Sequence, residues 1–320
     1  MARPSQGSAV NDRESALIEL GRALDNEGYR FTTPTPETHR RVNARAGAER
    51  AQDLGGVFGW SRPFADGVVP AAMVELLARA GELDTTPHGK RSRVRYSTLE
   101  ERLHVHSAYP TLAADAVFFG PDTYRFTAFA LEHARDASCL VEIGCGTGAT
   151  ALSLASRAGR VILADISEQA LRFARVNAAL AGVSHASTVI SDVLDGISEP
   201  FDLVIANPPY LVDAEARLYR DGGGSLGIDL AVRMVRASLA RLQPGGRLIL
   251  YTGTPIIRGV DPFWEAVRPV LGAAHADGSY RELDPDVFGE ELERAAYSEA
   301  DRIAVVGLVA DLPKRRADSA

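Results

Sequence analysis

The sequence predicts an α/β protein in which a doubly wound, mostly parallel sheet follows a smaller helical domain. Two observations support this fold class. From about Phe129 onward, short apolar runs typical of buried strands alternate with segments of helical periodicity, which is the pattern of successive β–α–β units. Before that point, apolar residues recur mainly at three- and four-residue spacing. Because such sheets bind ligands at the carboxyl ends of their strands, we expect the functional residues there.

The composition is ordinary for a folded protein, with 46% hydrophobic and 24% charged residues. No apolar run approaches the roughly 20 residues that a membrane-spanning helix requires, so no membrane contact is expected. The two cysteines, Cys139 and Cys145, do not form a CxxC pair. We therefore predict neither a disulfide nor a bound metal, and we expect a reducing, cytoplasmic location.

The net charge of −7 is unevenly distributed, because residues 1–110 carry +1 and the remainder carries −8. Proteins that bind nucleic acid usually have a clear basic surface, since phosphate neutralisation provides much of the affinity. The charge therefore disfavours a nucleic-acid partner but leaves that class open.

The N-terminal region is predicted to form a disordered tail over 1–12 and a domain over 13–112. Helical spacing begins with Leu17, Leu20 and Leu24, and further helices are predicted over 36–46, over 48–58 and from Pro70 to Gly81. Two alternating runs, 91–97 and 103–107, flank a short turn and predict a β-hairpin. Short helices followed by a hairpin resemble a winged-helix module.

The main domain is predicted over 113–312, with a C-terminal tail over 313–320. Its strands are predicted over 139–143, 161–164, 188–191, 203–206, 247–251 and 303–309, and its helices over 149–157, 168–181 and 229–242.

A glycine-rich turn follows the first strand of the main domain. It contains Gly144, Gly146 and Gly148, which permit a tight turn and a close approach of the backbone to a ligand. A nicotinamide-binding loop would need its third glycine one position later. The spacing found here, preceded by Glu142, resembles the methyltransferase loop that faces the methionine part of S-adenosylmethionine. That resemblance implies contacts from these residues and Cys145; the alternative is a purely structural strand–helix turn.

Two acidic residues follow the next two strands. Asp165 lies about 20 residues after the glycine turn, where a carboxylate can accept hydrogen bonds from both ribose hydroxyls. Asp192 and Val193 occupy the place where the resemblance puts an acid and an apolar residue beside adenine, and Ile166 is included in the same cofactor site. Each acid alone could be a helix N-cap. Their occurrence at successive strand ends instead favours S-adenosylmethionine as cofactor.

The tetrapeptide Asn207-Pro208-Pro209-Tyr210 follows the fourth strand and is the most specific motif in the chain. The two prolines cannot continue a central strand, so the motif must lie beyond the edge of the sheet. The side-chain oxygen of Asn207 and the carbonyl of Pro208 can accept both hydrogens of an amide or exocyclic amine, which orients that nitrogen. We therefore predict Asn207, Pro208 and Tyr210 as catalytic residues, with the Tyr210 ring stacked on the flat acceptor. Asn207 is also assigned to the cofactor site.

Residues 118–310 resemble the glutamine N5-methyltransferases of peptide chain release factors and their relatives, which include guanine-N2 and adenine-N6 nucleic-acid methyltransferases. The resemblance implies a Rossmann-like fold with a seven-stranded sheet. Residues 119–124 look like the Pro-Arg-Pro-[Glu/Asp]-Thr-Glu motif of that family, although Gly120 replaces the arginine and Tyr124 the glutamate. We assign Tyr124, Pro209 and Tyr210 to the acceptor site.

Two further features bear on the acceptor. The stretch 280–301 is an acidic insertion, which we interpret as solvated surface in preference to a cover over the substrate. Arg91, Arg93 and Arg95 are predicted to share one face of the hairpin strand, where they could contact nucleic acid, although an exposed strand face is the favoured interpretation.

Three hypotheses remain. The favoured one is an S-adenosylmethionine-dependent methyltransferase acting on a protein side-chain amide or a small amine-bearing metabolite. The second is a methyltransferase of RNA or DNA bases. The third is a winged-helix binding protein with a vestigial cofactor fold, which the intact motifs disfavour. The sequence does not indicate the oligomeric state.

Overall fold

The computed structural model describes residues 11–213, 215 and 217–314. Most of both predicted tails, residues 1–10 and 315–320, lies outside the described residues. The first helix begins at Asp12, so the predicted N-terminal tail extends too far by one residue. The helix begins there because the Asn11 side chain accepts a hydrogen bond from the Glu14 backbone N–H at 2.9 Å, and the Glu14 carboxylate accepts one from Asn11 at 3.0 Å.

Along the chain, a group of helices comes first, two β-hairpins follow, and helices and strands then alternate. The helices are α1 (Asp12–Asn26), α2 (Pro36–Asn43), α3 (Leu54–Phe58), α4 (Ala71–Ala80), α5 (Pro121–His133), α6 (Ala149–Ser153), α7 (Glu168–Leu180), α8 (Asp229–Arg241) and α9 (Pro262–Ala273). The strands are β1 (Leu83–Thr86), β2 (Gly89–Ser92), β3 (Val94–Leu99), β4 (Arg102–Ser107), β5 (Ala137–Ile143), β6 (Ala158–Asp165), β7 (Ala186–Ile190), β8 (Leu203–Ala206), β9 (Arg247–Ile256), β10 (Asp277–Asp284) and β11 (Arg302–Asp311).

A seven-stranded sheet forms the centre of the molecule, in the order β10-β11-β9-β8-β5-β6-β7. Strands β5 to β9 pair in parallel, whereas β11 pairs antiparallel with both β9 and β10. Helices α8 and α9 cover one apolar face, and α5, α6 and α7 cover the other. Because the strands carry apolar residues on both faces, helices must cover both faces of the sheet. The predicted doubly wound, mostly parallel fold is confirmed.

The N-terminal region packs on the outer face of α7. Leu17 of α1 and Tyr96 of β3 belong to the same buried cluster as Phe173 of α7. A buried ion pair of 2.8 Å between Glu14 and Arg175 also joins α1 to α7. The N-terminal region therefore packs against the sheet domain through α7, and it makes further contacts with α5 and α6.

The predicted hairpin is present as β3 and β4, joined by a two-residue turn at Glu100 and Glu101, which both have positive φ. The helix predicted over 48–58 is wrong in its first half, because α3 begins only at Leu54. Asp53 caps that helix through the Gly56 N–H, and Ala51 is hydrogen-bonded to Pro63 instead of to a helical neighbour. The likeness to a winged-helix module stays a prediction.

The three hairpin arginines do not share one exposed face. Arg91 belongs to β2 and donates to the backbone carbonyls of Ser61 and Tyr109. Arg95 belongs to β3 and is buried, with its guanidinium against His39. Of the three, Arg93 alone is exposed. The predicted basic strand face is therefore wrong, since two of its members are used to hold the fold together.

Buried histidines make the stability of the protein dependent on pH. His104 of β4 is 1% exposed and stacks on Phe119, with 6.0 Å between the ring centroids. Burial lowers its pKa to about 4, and Arg102 adds to the effect. The pKa of His104 in the folded protein lies below its value in the unfolded chain. The stabilisation that His104 contributes is therefore fully present above about pH 6.5 and is lost as the pH falls toward 4.

We expect His104 alone to lower the free energy of unfolding by about 2 kcal/mol between pH 7.5 and pH 5. Urea unfolding of the wild type and of His104→Leu at both pH values measures this effect. The variant, which cannot titrate at this position, should lose correspondingly less stability. An identical pH dependence in both proteins would contradict the assignment to His104.

Within the described residues, no helix combines the length and the apolar character that crossing a membrane requires.

Candidate functional site

One cavity lies at the carboxyl ends of β5, β6 and β8 and beside the loop that follows β7. It brings together twelve of the fourteen residues that the sequence assigned to cofactor, acceptor or catalysis. These are Glu142, Gly144, Cys145, Gly146, Asp165, Ile166, Asp192, Val193, Asn207, Pro208, Pro209 and Tyr210. Their separation along the chain exceeds 60 residues, so the topology of the sheet produces this arrangement.

The glycine turn adopts left-handed backbone at all three glycines. The φ angles are 63° at Gly144, 52° at Gly146 and 71° at Gly148, a region that side chains with a Cβ rarely occupy. Gly144 and Gly146 line the cavity, whereas Gly148 does not. A Cβ on Gly148 would lie 3.1 Å from Leu163, so this glycine allows α6 to approach the sheet. Its predicted contact with the cofactor is not supported by its position.

Asp165 stabilises the glycine turn from the neighbouring strand. Its carboxylate accepts hydrogen bonds from the backbone N–H groups of Gly146 and Ser167, both at 2.9 Å. Burial raises its pKa, and these two N–H groups oppose the rise. The carboxylate is therefore both a structural acceptor and part of the cavity wall.

Glu142 is a buried acid in the cavity wall. Burial raises the pKa of its carboxyl to about 8, against the opposing effect of a hydrogen bond of 3.2 Å from the Ala151 backbone N–H. The charge of nearby Asp165 adds to the rise. Groups with such shifted pKa values are concentrated at binding sites.

The rim beyond β6 and β7 combines apolar and charged groups. Ile166 is 57% exposed, although it is a large apolar residue at the mouth of a cavity. Asp192 is half-exposed and forms a bidentate ion pair with Arg233 of α8. Val193 adopts a φ of 54°, which turns the chain at this point. An exposed apolar residue beside a carboxylate suits a ligand with a flat apolar ring and polar edges.

The Asn207-Pro208-Pro209-Tyr210 turn forms the opposite wall. The carboxamide of Asn207 makes no hydrogen bond to any other described residue, so its oxygen is available to a ligand. Tyr210 is buried, and its hydroxyl donates to Asp122 at 2.6 Å. Tyr251 donates to the other oxygen of the same carboxylate at 3.0 Å.

Aromatic side chains that sequence reasoning missed surround this wall. Phe118 and Tyr219 are stacked with 5.8 Å between centroids, and Phe288 lies edge-on to Tyr210 at 5.9 Å. All four rings line the cavity. Phe118 and Phe288 lie in loops, and no periodic pattern marks them in the sequence.

The acidic insertion has two roles. Its carboxylates at Asp286, Glu290 and Glu293 are exposed, as predicted. However, Phe288 lines the cavity, and the hydroxyl of Tyr297 accepts a hydrogen bond from the Val212 backbone N–H at 2.8 Å. The interpretation of the whole insertion as solvated surface is therefore wrong, because Phe288 lines the cavity and Glu291 is buried.

Tyr124 does not line the cavity. Its hydroxyl accepts a hydrogen bond from the Thr33 backbone N–H at 3.1 Å, and its ring lies edge-on to Phe119. Since it joins α5 to the N-terminal region, it has no position from which to bind the acceptor. Its neighbours Asp122 and Thr123 line the cavity instead.

Comparisons with known proteins agree with this geometry. Residues 124–255 match the family described as the methyltransferase small domain. The release factor glutamine methyltransferase of Deinococcus radiodurans is 35% identical over 196 residues, covering 57% of this chain and 66% of the relative. That of Cereibacter sphaeroides is 31% identical over 192 residues, covering 56% of this chain and 62% of the relative.

The chain is therefore similar to the class I S-adenosylmethionine-dependent methyltransferases. The resemblance to methyltransferases that the sequence motifs predict is confirmed. The chain spans just under two thirds of the length of these two curated relatives.

Solved structures confirm the methyltransferase fold. Trm5b from Pyrococcus abyssi superimposes with a TM-score of 0.51 at 14% identity, covering 76% of this chain and 67% of that one. Trm5 from Methanocaldococcus jannaschii, in complex with adenosine, gives a TM-score of 0.50 at 15% identity, covering 70% and 57%. At such low identity these likenesses concern the fold alone.

Proposed function

We propose that this methyltransferase transfers a methyl group from S-adenosylmethionine to a planar nitrogen, and that the acceptor is a side-chain amide of a protein. One observation carries the proposal. The free carboxamide of Asn207 and the donor-side residues Gly144, Gly146 and Asp165 line the same cavity. The methyl donor and the methyl acceptor can therefore bind side by side in the same cavity.

The residues present fit S-adenosylmethionine on the donor side. Left-handed glycines at Gly144 and Gly146 leave the backbone free of side chains where a ligand must approach closely. Asp165 retains lone pairs for ribose hydroxyls beyond its two backbone hydrogen bonds. Ile166 and Val193 offer apolar contacts for adenine, with Asp192 beside them. Bound S-adenosylmethionine would supply an electrophilic methyl group.

The acceptor side provides orientation. An amide nitrogen is a poor nucleophile because its lone pair is delocalised. If the Asn207 oxygen and the Pro208 carbonyl accept its two N–H groups, the nitrogen is held with its lone pair free to face the donor. The two prolines fix the turn, so the two oxygens are positioned before the acceptor arrives. Buried Tyr210 and partly buried Phe288 exclude water from one side of this position.

The choice of a protein amide rests on the relatives and on charge. The curated relatives are release factor glutamine methyltransferases. The Arg91 and Arg95 side chains, which favoured nucleic acid in the sequence, are bound within the fold. Within the described residues, the predicted basic strand face is thus reduced to Arg93. These observations support an amide acceptor over a nucleic-acid base.

A label-transfer experiment tests the proposal. The purified protein is incubated with methyl-labelled S-adenosylmethionine and an extract from cells that lack the gene. We expect protease to release the label. Acid hydrolysis should free it as volatile methylamine, because hydrolysis of an N-methylated amide cleaves the bond between the carbonyl carbon and the nitrogen and leaves the methyl group on the nitrogen. Label released by nuclease would indicate a base acceptor, and label confined to small molecules a metabolite. Transfer to none of these fractions would contradict the proposed function.

A further inference from the structure

Asp122 occupies an unusual position between three elements of the site. It is the second residue of α5, its side chain is only 13% exposed, and it lines the cavity. Its Oδ2 accepts a hydrogen bond from the Tyr210 hydroxyl at 2.6 Å, and its Oδ1 accepts one from Tyr251 at 3.0 Å. One carboxylate thus connects α5, the catalytic turn and β9.

The ring of Tyr210 packs closely against β9. Gly253 of β9 lies against it so closely that a Cβ there would come within 2.1 Å of the ring carbon Cδ2. The ring therefore occupies a slot in β9 that exists only because residue 253 is a glycine. With the ring held by Gly253 and the hydroxyl by Asp122, Tyr210 has little freedom to move.

The Asp122 bonds are of the strong, charge-assisted type, and they are shielded from water. Burial raises the pKa of the Tyr210 hydroxyl well above its ordinary value, so the hydroxyl remains a donor at any physiological pH. Arg125 is a much weaker partner of Asp122, at 3.4 Å and about half-exposed, and it also contacts Asp284. The arrangement is therefore organised around the two tyrosines and not around the ion pair.

We propose that Asp122 is a positioning residue for methyl transfer: by fixing Tyr210 it holds the turn that presents the Asn207 oxygen and the Pro208 carbonyl. The effect on methyl transfer rests on the proposed function; the effect on the position of the turn does not. Tyr210 follows Pro208 by two residues, and the intervening proline transmits its position along a stiff backbone. Asp122 itself then needs no contact with the acceptor.

Hydrogen exchange tests the positioning without any acceptor. In the full-length protein, Asp122→Ala should raise exchange of the backbone amides in residues 210–213 by about 10-fold, because a buried charge-assisted bond is lost. Exchange over 142–148, in the glycine turn, should stay unchanged. Arg125→Ala removes the weak partner of Asp122 together with the ion pair to Asp284, but leaves both tyrosine hydrogen bonds in place; it is the matched control and should exchange over 210–213 as the wild type does. Unchanged exchange over 210–213 in Asp122→Ala would overturn the proposal.

Turnover distinguishes positioning from a merely structural role. With the acceptor fraction found by label transfer, Asp122→Ala should lower kcat by about 10- to 100-fold while the Kd for S-adenosylmethionine changes less than about 3-fold. Tyr210→Phe should have a similar effect. The double variant should be no slower than Asp122→Ala alone, since that single variant already lacks the bond to Tyr210. If the losses multiply, or if Asp122→Ala retains full kcat, Asp122 does not act through Tyr210.

The outcomes separate this inference from the proposed function. Absence of methyl transfer in the wild type would sink the proposed function, yet the exchange result would still decide whether Asp122 holds the turn. If Asp122→Ala does not fold, Asp122→Asn serves instead. Its amide oxygen can accept from one hydroxyl, so smaller changes of the same sign are expected, and no change in exchange or kcat would overturn the inference.

Discussion

Replacing Asn207 by alanine should reduce kcat by about 10²- to 10³-fold while leaving the affinity for S-adenosylmethionine within a few-fold of the wild type. The Asn207 oxygen is the side-chain acceptor in the proposed nitrogen clamp, and no described residue occupies it. Removing it leaves the Pro208 carbonyl as a single contact, which cannot fix the direction of the nitrogen lone pair. Label transfer at saturating donor and calorimetric titration of the donor measure the two quantities.

Two further variants sharpen this experiment. Asn207→Asp keeps an oxygen acceptor at the same place and should retain more activity than Asn207→Ala. Asn26→Ala, in an exposed position at the end of α1, should be indistinguishable from the wild type. If Asn207→Ala turns over at the wild-type rate, the tetrapeptide does not orient the acceptor and the proposed mechanism is wrong.

Replacing Gly146 by valine should weaken binding of S-adenosylmethionine by about 100-fold or more, which corresponds to about 2.7 kcal/mol. Two causes act together. A β-branched residue at a φ of 52° is strained, so the turn must change its conformation. The added side chain would also stand in the cavity wall where the donor must approach the backbone. Calorimetric titration with S-adenosylmethionine, or with S-adenosylhomocysteine, measures the loss.

Gly182→Val is the matched control. Gly182 follows α7, has a φ of 68°, and has open space where a Cβ would lie. The backbone penalty is therefore similar, but the cavity is untouched, so the variant should lose some thermal stability and no donor affinity. Equal loss of affinity in both variants would show that general destabilisation explains the effect. Wild-type affinity in Gly146→Val would remove the glycine turn from the donor site.

The motifs that follow the strands were predictable because each is local. The glycine turn, Asp165, Asp192 and the Asn207–Tyr210 motif are short signals whose residue types carry their own chemistry, and the alternation of strands and helices implies that strand ends converge. The sequence therefore assigns 12 of the 34 residues that line the cavity. Gly148 and Tyr124 were assigned by motif position alone. In the structure Gly148 faces the core and Tyr124 faces the N-terminal region, because packing decides which side of a turn or helix a residue faces.

Other parts of the site depend on contacts between distant segments. Asp122 acquires its role only when Tyr210 and Tyr251, 88 and 129 residues away, are folded against it. Phe288 belongs to a segment whose acidic composition predicts surface, and its ring faces the cavity because β10 and β11 fix both ends of that segment. Likewise, Arg95 carries a charge that suggests exposure, yet it is buried against His39.

The sequence by itself determined the class of fold, the donor loop and the tetrapeptide, since those depend on periodicity and on residues whose backbone or side-chain chemistry is intrinsic. Tertiary structure alone decided which side chains close the acceptor side and what holds the tetrapeptide in place. The physical reason is that burial and hydrogen bonding are properties of pairs of residues. A single position in the sequence specifies a donor or an acceptor, but only the folded chain specifies its partner.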